Sequence, residues 1–133
     1  MAASPRLAIV EGLLKRWTAG ERTVRDDEIH PDAELHTRLA AAAGEPYRGR
    51  EGIEQWGRDL GDLFETMELS VEEMIENDED QVLVISTAEL GTRGSDVTFT
   101  QAIAWVFTFR DDLPARMDVF QSHAEGRKAA GLL

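Results

Sequence analysis

The chain has 133 residues, 42% of them hydrophobic, and sets 26 acidic residues against 14 Lys and Arg for a formal net charge of −12. That length supports one hydrophobic core and not comfortably two, so a single domain over residues 1–133 is expected. The charge argues against nucleic acid and anionic lipid as partners, since both are bound chiefly through Lys and Arg, and the absence of cysteine removes disulfides, thiolate nucleophiles and cysteine-based zinc sites.

Met1 to Pro5 shows neither the charged start nor the apolar run of a signal peptide, and no stretch approaches the roughly 20 apolar residues of a membrane span. A cytoplasmic location is the expectation, and a cysteine-free chain fits a reducing compartment. Ser4-Pro5 reads as an N-cap followed by proline at the first helical position. Leu7, Val10, Leu13, Leu14 and Trp17 then recur on one helical face, and Gly20 supplies a left-handed stop. Glu21 to Ile29 offers a second short helix, broken at His30-Pro31 because the residue before proline avoids the helical region. A short strand is expected over Glu34 to Arg38. The run Leu39 to Gly44 stays open between helix and loop. A third helix begins near Arg50 with Ile53, Trp56, Leu60, Leu63 and Phe64 on one face; its glycines at 52, 57 and 61 each weaken it by roughly 1 kcal/mol relative to alanine.

From there strand signals dominate: Thr66 to Glu76, Gln81 to Leu90, Val97 to Arg110 and Ala115 to Ser122, separated by turn residues at Asn77 to Asp80, Gly91 to Asp96 and Asp111 to Pro114. This is an antiparallel meander. Its two middle strands are apolar on both faces, whereas a sheet with one wet face alternates. The helices can shield one face, so a second copy of the chain is expected on the other, as a homodimer. A short helix over Ala124 to Gly131 closes the chain.

The order helix, helix, strand, helix, meander resembles the NTF2-like superfamily, and the wording is most similar to its SnoaL-like and ketosteroid-isomerase-like branch. The pieces that carry the likeness are Thr18-Ala-Gly-Glu21, His30-Pro-Asp-Ala-Glu-Leu-His36, Tyr47-Arg-Gly-Arg-Glu-Gly-Ile53, Ala102-Ile-Ala-Trp-Val-Phe-Thr-Phe-Arg-Asp111 and Ala129-Ala-Gly-Leu132. The resemblance implies an α+β cone: a curved, mixed but mainly antiparallel sheet packed on about three N-terminal helices. It says little about function, because one fold hosts isomerases, cyclases, hydrolases and non-catalytic binders.

Position by position, the resemblance speaks against steroid isomerisation. Where ketosteroid isomerases place an oxyanion-donating tyrosine this chain has Leu13; at the position of the base stands Thr37, and at the second oxyanion donor Trp105. Leucine neither donates nor accepts, threonine is no base near neutral pH, and an indole N–H donates only if it points at the ligand. Nor do the cavity-facing positions hold the Asp-Arg-Asp arrangement of epoxide-hydrolase-like members, since Arg116 and Asp118 share the face opposite Met117, Val119 and Gln121.

The cone lining the resemblance implies comes from the helices in Leu13, Trp17, Trp56 and Leu60 and from the first strand in Leu35 and Thr37. The meander adds Val84, Ser86, Ala88, Gln101, Ile103, Trp105, Met117, Val119 and Gln121. Apolar walls with a few polar groups suit a small-molecule pocket, although a solid core would contain the same residues. Tyr47 is expected as a lid or a loop anchor. His36 is a general base if the strand slips by one residue and a rim or interface histidine otherwise. Asp59 is either a carboxylate at the mouth or a solvated one, and His123 either a proton carrier or a surface helix start. Arg48 and Arg50 either hold an anionic group or balance the acidic surface. The acidic run around Glu72 to Asp80 lacks the spacing of a calcium loop, and His30, His36 and His123 are too scattered to argue zinc, so no metal and no cofactor is expected.

The functional expectation is a SnoaL-like protein binding a small, largely apolar molecule. Its chemistry would be cofactor-independent acid/base work of isomerase, cyclase or hydrolase type on a carbonyl or polyketide-like compound, with Gln121 and Trp105 orienting it and His36 or Asp59 moving protons. The alternative is a non-catalytic binding or dimerisation module.

Overall fold

A computed structural model describes residues 4–132. Helix α1 spans Pro5–Thr18, its Ser4 cap accepting from the Leu7 N–H at 3.1 Å. Strand β1 (Glu34–His36), helix α2 (Arg38–Ala43) and strand β2 (Tyr47–Arg48) follow, then helix α3 (Gly49–Leu63). The meander is β3 (Phe64–Glu76), β4 (Gln81–Thr92), β5 (Thr98–Arg110) and β6 (Leu113–Phe120), closed by helix α4 (His123–Ala129). The six strands form one open sheet in the order β2-β1-β6-β5-β4-β3, antiparallel throughout except where β1 runs parallel to β6. Register shifts at Phe64/Thr66, Val71/Glu73 and Thr108/Phe109 bend it, as bulges do. The expected cone is present, and the sheet does not close.

Two local expectations are corrected. Residues 21–29 form irregular chain and a turn instead of a helix. Val24 and Ile29 are both buried, but five residues apart they do not share a helical face. Side chains capture the backbone instead: the Glu54 carboxylate accepts from the Val24 N–H at 3.1 Å and Glu28 from the Arg25 N–H at 2.8 Å. The second helix comes later, as α2, capped by Thr37 and ended by Gly44 at φ 87°. That cap also shortens the first strand, which stops at His36 rather than Arg38.

The glycines that weaken α3 are spaces for neighbours. A Cβ on Gly57 would sit 3.0 Å from Arg22 Cβ and 3.1 Å from the Trp17 ring, and one on Gly52 would sit 2.9 Å from the Tyr47 backbone. Helix propensity is given up there for close packing of the 21–29 segment and β2 against the helix.

Apolar side chains divide between the two faces of the sheet. On the concave face Val82, Val84, Trp105, Phe107, Phe109 and Met117 pack with Val10 and Leu14 of α1, Ile53 and Trp56 of α3, and Val24, Ile29 and Leu35. On the convex face Leu83, Ile85, Ala104 and Val106 pack with Ala130, Phe120 and Leu132 beside α4. There Gly126 meets the sheet so closely that a Cβ would lie 2.3 Å from Ala104 Cβ. The two strands that are apolar on both faces are thus covered on the convex side by the chain's own last helix, and the premise for a second copy on that half is gone. Beyond α4 the convex face is polar, with Glu68 directly opposite Glu89 and Thr87 bonded to Glu72. Edge strand β3 carries five glutamates, at 65, 68, 72, 73 and 76.

Candidate functional site

The open end of the cone holds a cavity of about 300 Å³. The end of α1 gives it Trp17 and Thr18, and the start of α2 gives Arg38 and Leu39 beside Thr37; α3 adds Trp56 and Leu60. The sheet contributes Phe64, Met67, Glu68 and Leu69 from β3, Ala88 and Leu90 from β4, and Phe99, Gln101, Ile103 and Trp105 from β5; Val119 and Gln121 complete it at the end of β6. Thr18, Arg38, Glu68, Phe99 and Gln121 are exposed and mark the mouth. Trp56 and Trp105, at 6% and 7% exposed, lie deep.

Aromatic packing shapes the inner wall. Trp17 stacks on Trp56 with ring centroids 5.2 Å apart, Trp56 meets Trp105 edge-on at 5.6 Å, and Trp105 stacks on Phe107 at 5.8 Å. Near the mouth Phe64 and Phe99 make a further edge-on pair at 6.0 Å. All three tryptophans of the chain therefore border the cavity. They also border a smaller void of about 40 Å³, otherwise closed by apolar side chains that include Leu13, Leu35, Phe107 and Met117.

Of the expected lining, Trp17, Thr37, Trp56, Leu60, Ala88, Gln101, Ile103, Trp105, Val119 and Gln121 meet in the main cavity. Leu13, Leu35 and Met117 line the smaller void instead. Val84 and Ser86 share the concave face of β4, yet both are fully covered and line neither space. The Ser86 hydroxyl donates to the Ile103 carbonyl at 2.8 Å. Gln101 is likewise engaged, its amide donating to the carbonyls of Ala102 at 3.1 Å and Gln121 at 3.2 Å. The Thr37 hydroxyl caps α2 by accepting from the Ala40 N–H at 3.1 Å.

Neither expected proton carrier reaches the cavity. Leu35, 1% exposed, takes the inward position on β1, so His36 and Glu34 face outward, 3.0 Å apart through His36 Nε2 and Glu34 Oε1. No register slip occurs: His36 pairs with Asp118 and Leu35 with Met117. The hydrogen bonds from His36 and from Arg48 hold the Glu34 carboxyl below its usual range. His36 borders an open depression of about 460 Å³ outside α2. Asp59 accepts from the Tyr47 hydroxyl at 2.6 Å and from Gln55 at 2.7 Å. Those two bonds, Tyr47's first, lower the Asp59 pKa, while burial and then the Asp59 bond push Tyr47 up to about 12. Tyr47 is thus an anchor tying β2 to α3, and it lies outside the cavity.

The remaining candidates serve structure. His123 Nε2 lies 2.7 Å from the Ser86 carbonyl and fastens the start of α4 to β4. Arg48 is paired with Glu34, and Arg50 with Asp26 at 3.1 Å and Glu54 at 3.4 Å. Arg116 and Asp118 bond each other at 3.0 Å, away from the cavity. Among the described residues no three His, Asp or Glu converge as a metal site, and no helix is long and apolar enough to cross a membrane.

Sequence reasoning missed the contributions of β3 and α2. Met67 and Leu69 alternate with Glu68 at the period of a strand, a signal that would have found that wall had β3 been placed on the cone. Leu39 was hidden because its segment stayed undecided between helix and loop, and Arg38 because it was expected to end the first strand instead of opening α2.

Residues 10–117 match the SnoaL-like domain. No curated protein matches the chain. Among solved structures it is similar to an NTF2-like protein of unknown function from Burkholderia pseudomallei, at 16% identity and TM-score 0.78 over 96% of this chain and 98% of that one. It is also similar to TerC, co-crystallised with polyporic acid, at 22% identity and TM-score 0.73 over 96% and 99%. A third is a protein of ketosteroid-isomerase-like fold from Catenulispora acidiphila, in complex with trimethylamine, at 18% identity and TM-score 0.72 over 94% and 93%. At such identities these structures speak for the fold. The domain match, which covers most of the chain, goes further: this protein, with its NTF2-like fold, belongs to the SnoaL-like family.

Proposed function

We propose that the chain binds a small, largely apolar organic molecule in the cone. The observation that carries this reading is the cavity of about 300 Å³ itself, walled by aromatic and aliphatic side chains and opening between Thr18, Arg38, Glu68 and Gln121. A concave apolar site with polar groups confined to its rim supplies affinity by burial and orientation at the mouth. Two of the similar structures were crystallised with small organic molecules, which supports the reading without naming this chain's ligand.

Acid/base turnover on a carbonyl or polyketide-like compound is the second reading, and it has less behind it. His36 and Asp59 are committed elsewhere, and the carboxylate among the residues that border the cavity, Glu68, sits opposite Glu89 on the outer face, so among the described residues no carboxylate or histidine is directed into the cone. Conversion of such a compound by the wild-type chain, lost when Ala88→Leu fills the cavity, would favour an enzyme. Pairing of two copies through the outer face stays part of the proposal only for the half that α4 leaves bare. Glu68 and Glu89 there would repel a like surface, so salt should promote such pairing, and light scattering across a salt series decides it.

Because every tryptophan borders the cavity, intrinsic fluorescence reads its occupancy. The neutral probe N-phenyl-1-naphthylamine should quench that fluorescence saturably and raise the melting temperature. Ala88→Leu, which fills the cavity from β4, should weaken the probe about tenfold or more while changing stability by less than about 1.5 kcal/mol. Absence of saturable quenching, or an unchanged affinity in Ala88→Leu, refutes the proposal.

A further inference from the structure

Strand β3 is the last of the sheet, so one side of its backbone has no strand to bond among the described residues. Beside it lies an open groove of about 500 Å³, formed between the strand and α1. The apolar floor of this groove is Leu14 of α1 with Leu69, Val71 and Met74 of β3, and Val71 is 43% exposed. Glu11 and Lys15 of the helix stand one turn apart and cancel in charge.

The two flanks of the strand differ in kind. Leu69 and Val71 turn toward the cone, since they pair with Ala88 and Ser86 on the concave face of β4. Glu68 and Glu72 turn the other way: Glu68 stands directly opposite Glu89, and Glu72 accepts from the Thr87 hydroxyl at 2.7 Å. Like charges placed opposite each other are destabilising. Among the described residues none of these three glutamates is in an ion pair, so nothing in the fold offsets that repulsion.

We propose that β3 takes up an extended peptide of alternating basic and apolar residues, which adds to the sheet beside it. The peptide backbone bonds β3 over Thr66 to Val71, the stretch between two register shifts. Side chains of an added strand alternate between faces. One set therefore enters the groove against Val71 and Leu14, and the other meets Glu68 and Glu72. A second copy of this chain, with a net charge of −12, carries the wrong sign for that flank. The site is independent of whatever the cone binds.

The probe is the fluorescein-labelled peptide Lys-Val-Lys-Val-Lys-Val-Lys, followed by anisotropy. It should bind saturably and lose affinity about tenfold between about 50 and about 500 mM NaCl. The same composition with its valines in one block should bind about tenfold more weakly, and a peptide with glutamate in place of lysine should not bind. Hydrogen exchange followed by NMR should show backbone amides within residues 66–71 gaining about tenfold protection or more with the alternating peptide, whereas association by charge alone would leave them unchanged. Glu72→Lys should weaken the peptide about tenfold in low salt, and Val71→Ser about threefold. Both positions are exposed, and both variants should keep the wild-type circular dichroism. Equal affinity for the alternating and block peptides, unchanged exchange at residues 66–71, or no effect of Glu72→Lys overturns the assignment, however the naphthyl probe behaves in the cone. Dimerisation of the chain alone with protection of the same amides would give this strand to a second copy and overturn it as well.

Discussion

The two faces of the same strands have been finished in opposite ways. Residues 82 and 84 face the cone while 83 and 85 face outward, and all four are aliphatic and almost fully buried. Outward, the chain closes the surface with one small helix whose Gly126 allows near-contact with Ala104. Inward, three large tryptophans meet one another before they reach the far wall, so space remains. Small residues meeting small residues make a solid contact, whereas bulky planar rings brought together from two helices and a strand keep a hollow. Hydrophobicity alone does not separate the two outcomes; the shapes of the facing residues do.

The sharpest way to break this contrast is to spoil the solid side. Gly126→Val places a branched side chain where a single Cβ already lies 2.3 Å from Ala104, so α4 should be displaced at a cost of about 3 kcal/mol by urea denaturation. Cavity binding of the naphthyl probe should persist below the new melting temperature. A loss under about 1 kcal/mol would mean that α4 is not seated as described.

A matched pair of truncations measures the contrast directly. Leu83→Ala, on the solid face at 1% exposure, should cost about 3 kcal/mol. Ile103→Ala, on a wall that already borders empty space, should cost about half as much, because fewer contacts are lost with each methyl group. Equal penalties would show that the hollow is closed in solution.

The smallest effect tests the tie that holds β2 on α3 beside the cone. Tyr47→Phe removes the bond to Asp59 and should cost about 1 kcal/mol at neutral pH. Asp59 has a folded pKa below its ordinary value, so the unfolded chain takes up its proton first. The stability of this bond is present above the ordinary carboxylate range and is lost as pH falls through the depressed pKa. Tyr47 shows the reverse behaviour. Raised to about 12, it retains the bond through pH 10 and releases it as pH approaches that value. The stability difference between wild type and Tyr47→Phe should therefore be flat across neutral pH and shrink at both extremes. A difference that does not vary with pH would refute the bond.

Strands were the legible part of the sequence because period-2 alternation and turn residues reinforce each other. The β5–β6 turn places Asp111 and Asp112 at φ 54° and 68°, a conformation that aspartate tolerates better than most side chains. Residues 21–29 were misread as helix for a reason no local pattern reveals: their backbone is held by Glu54, thirty positions away, and by Glu28. The site was legible as a set of inward residues and not as a volume. Trp17, Trp56 and Trp105 were all expected on the wall, but whether three indoles fill a cone or frame a hollow depends on their mutual angles, such as the 76° between Trp56 and Trp105. His36 was open to two readings until the register of β1 against β6 placed Leu35 inward.

Strand β3 ends the sheet with thirteen residues whose outer backbone edge has no neighbouring strand among the described residues. A long free edge is a template on which a second chain can zip and begin a fibril. Here any approaching copy brings the same five carboxylates toward their own likeness, and the bulge at Val71/Glu73 interrupts the register it would need. That protection is electrostatic, and it lapses under acid or strong brine, where aggregation should begin along this strand well before the cone itself unfolds.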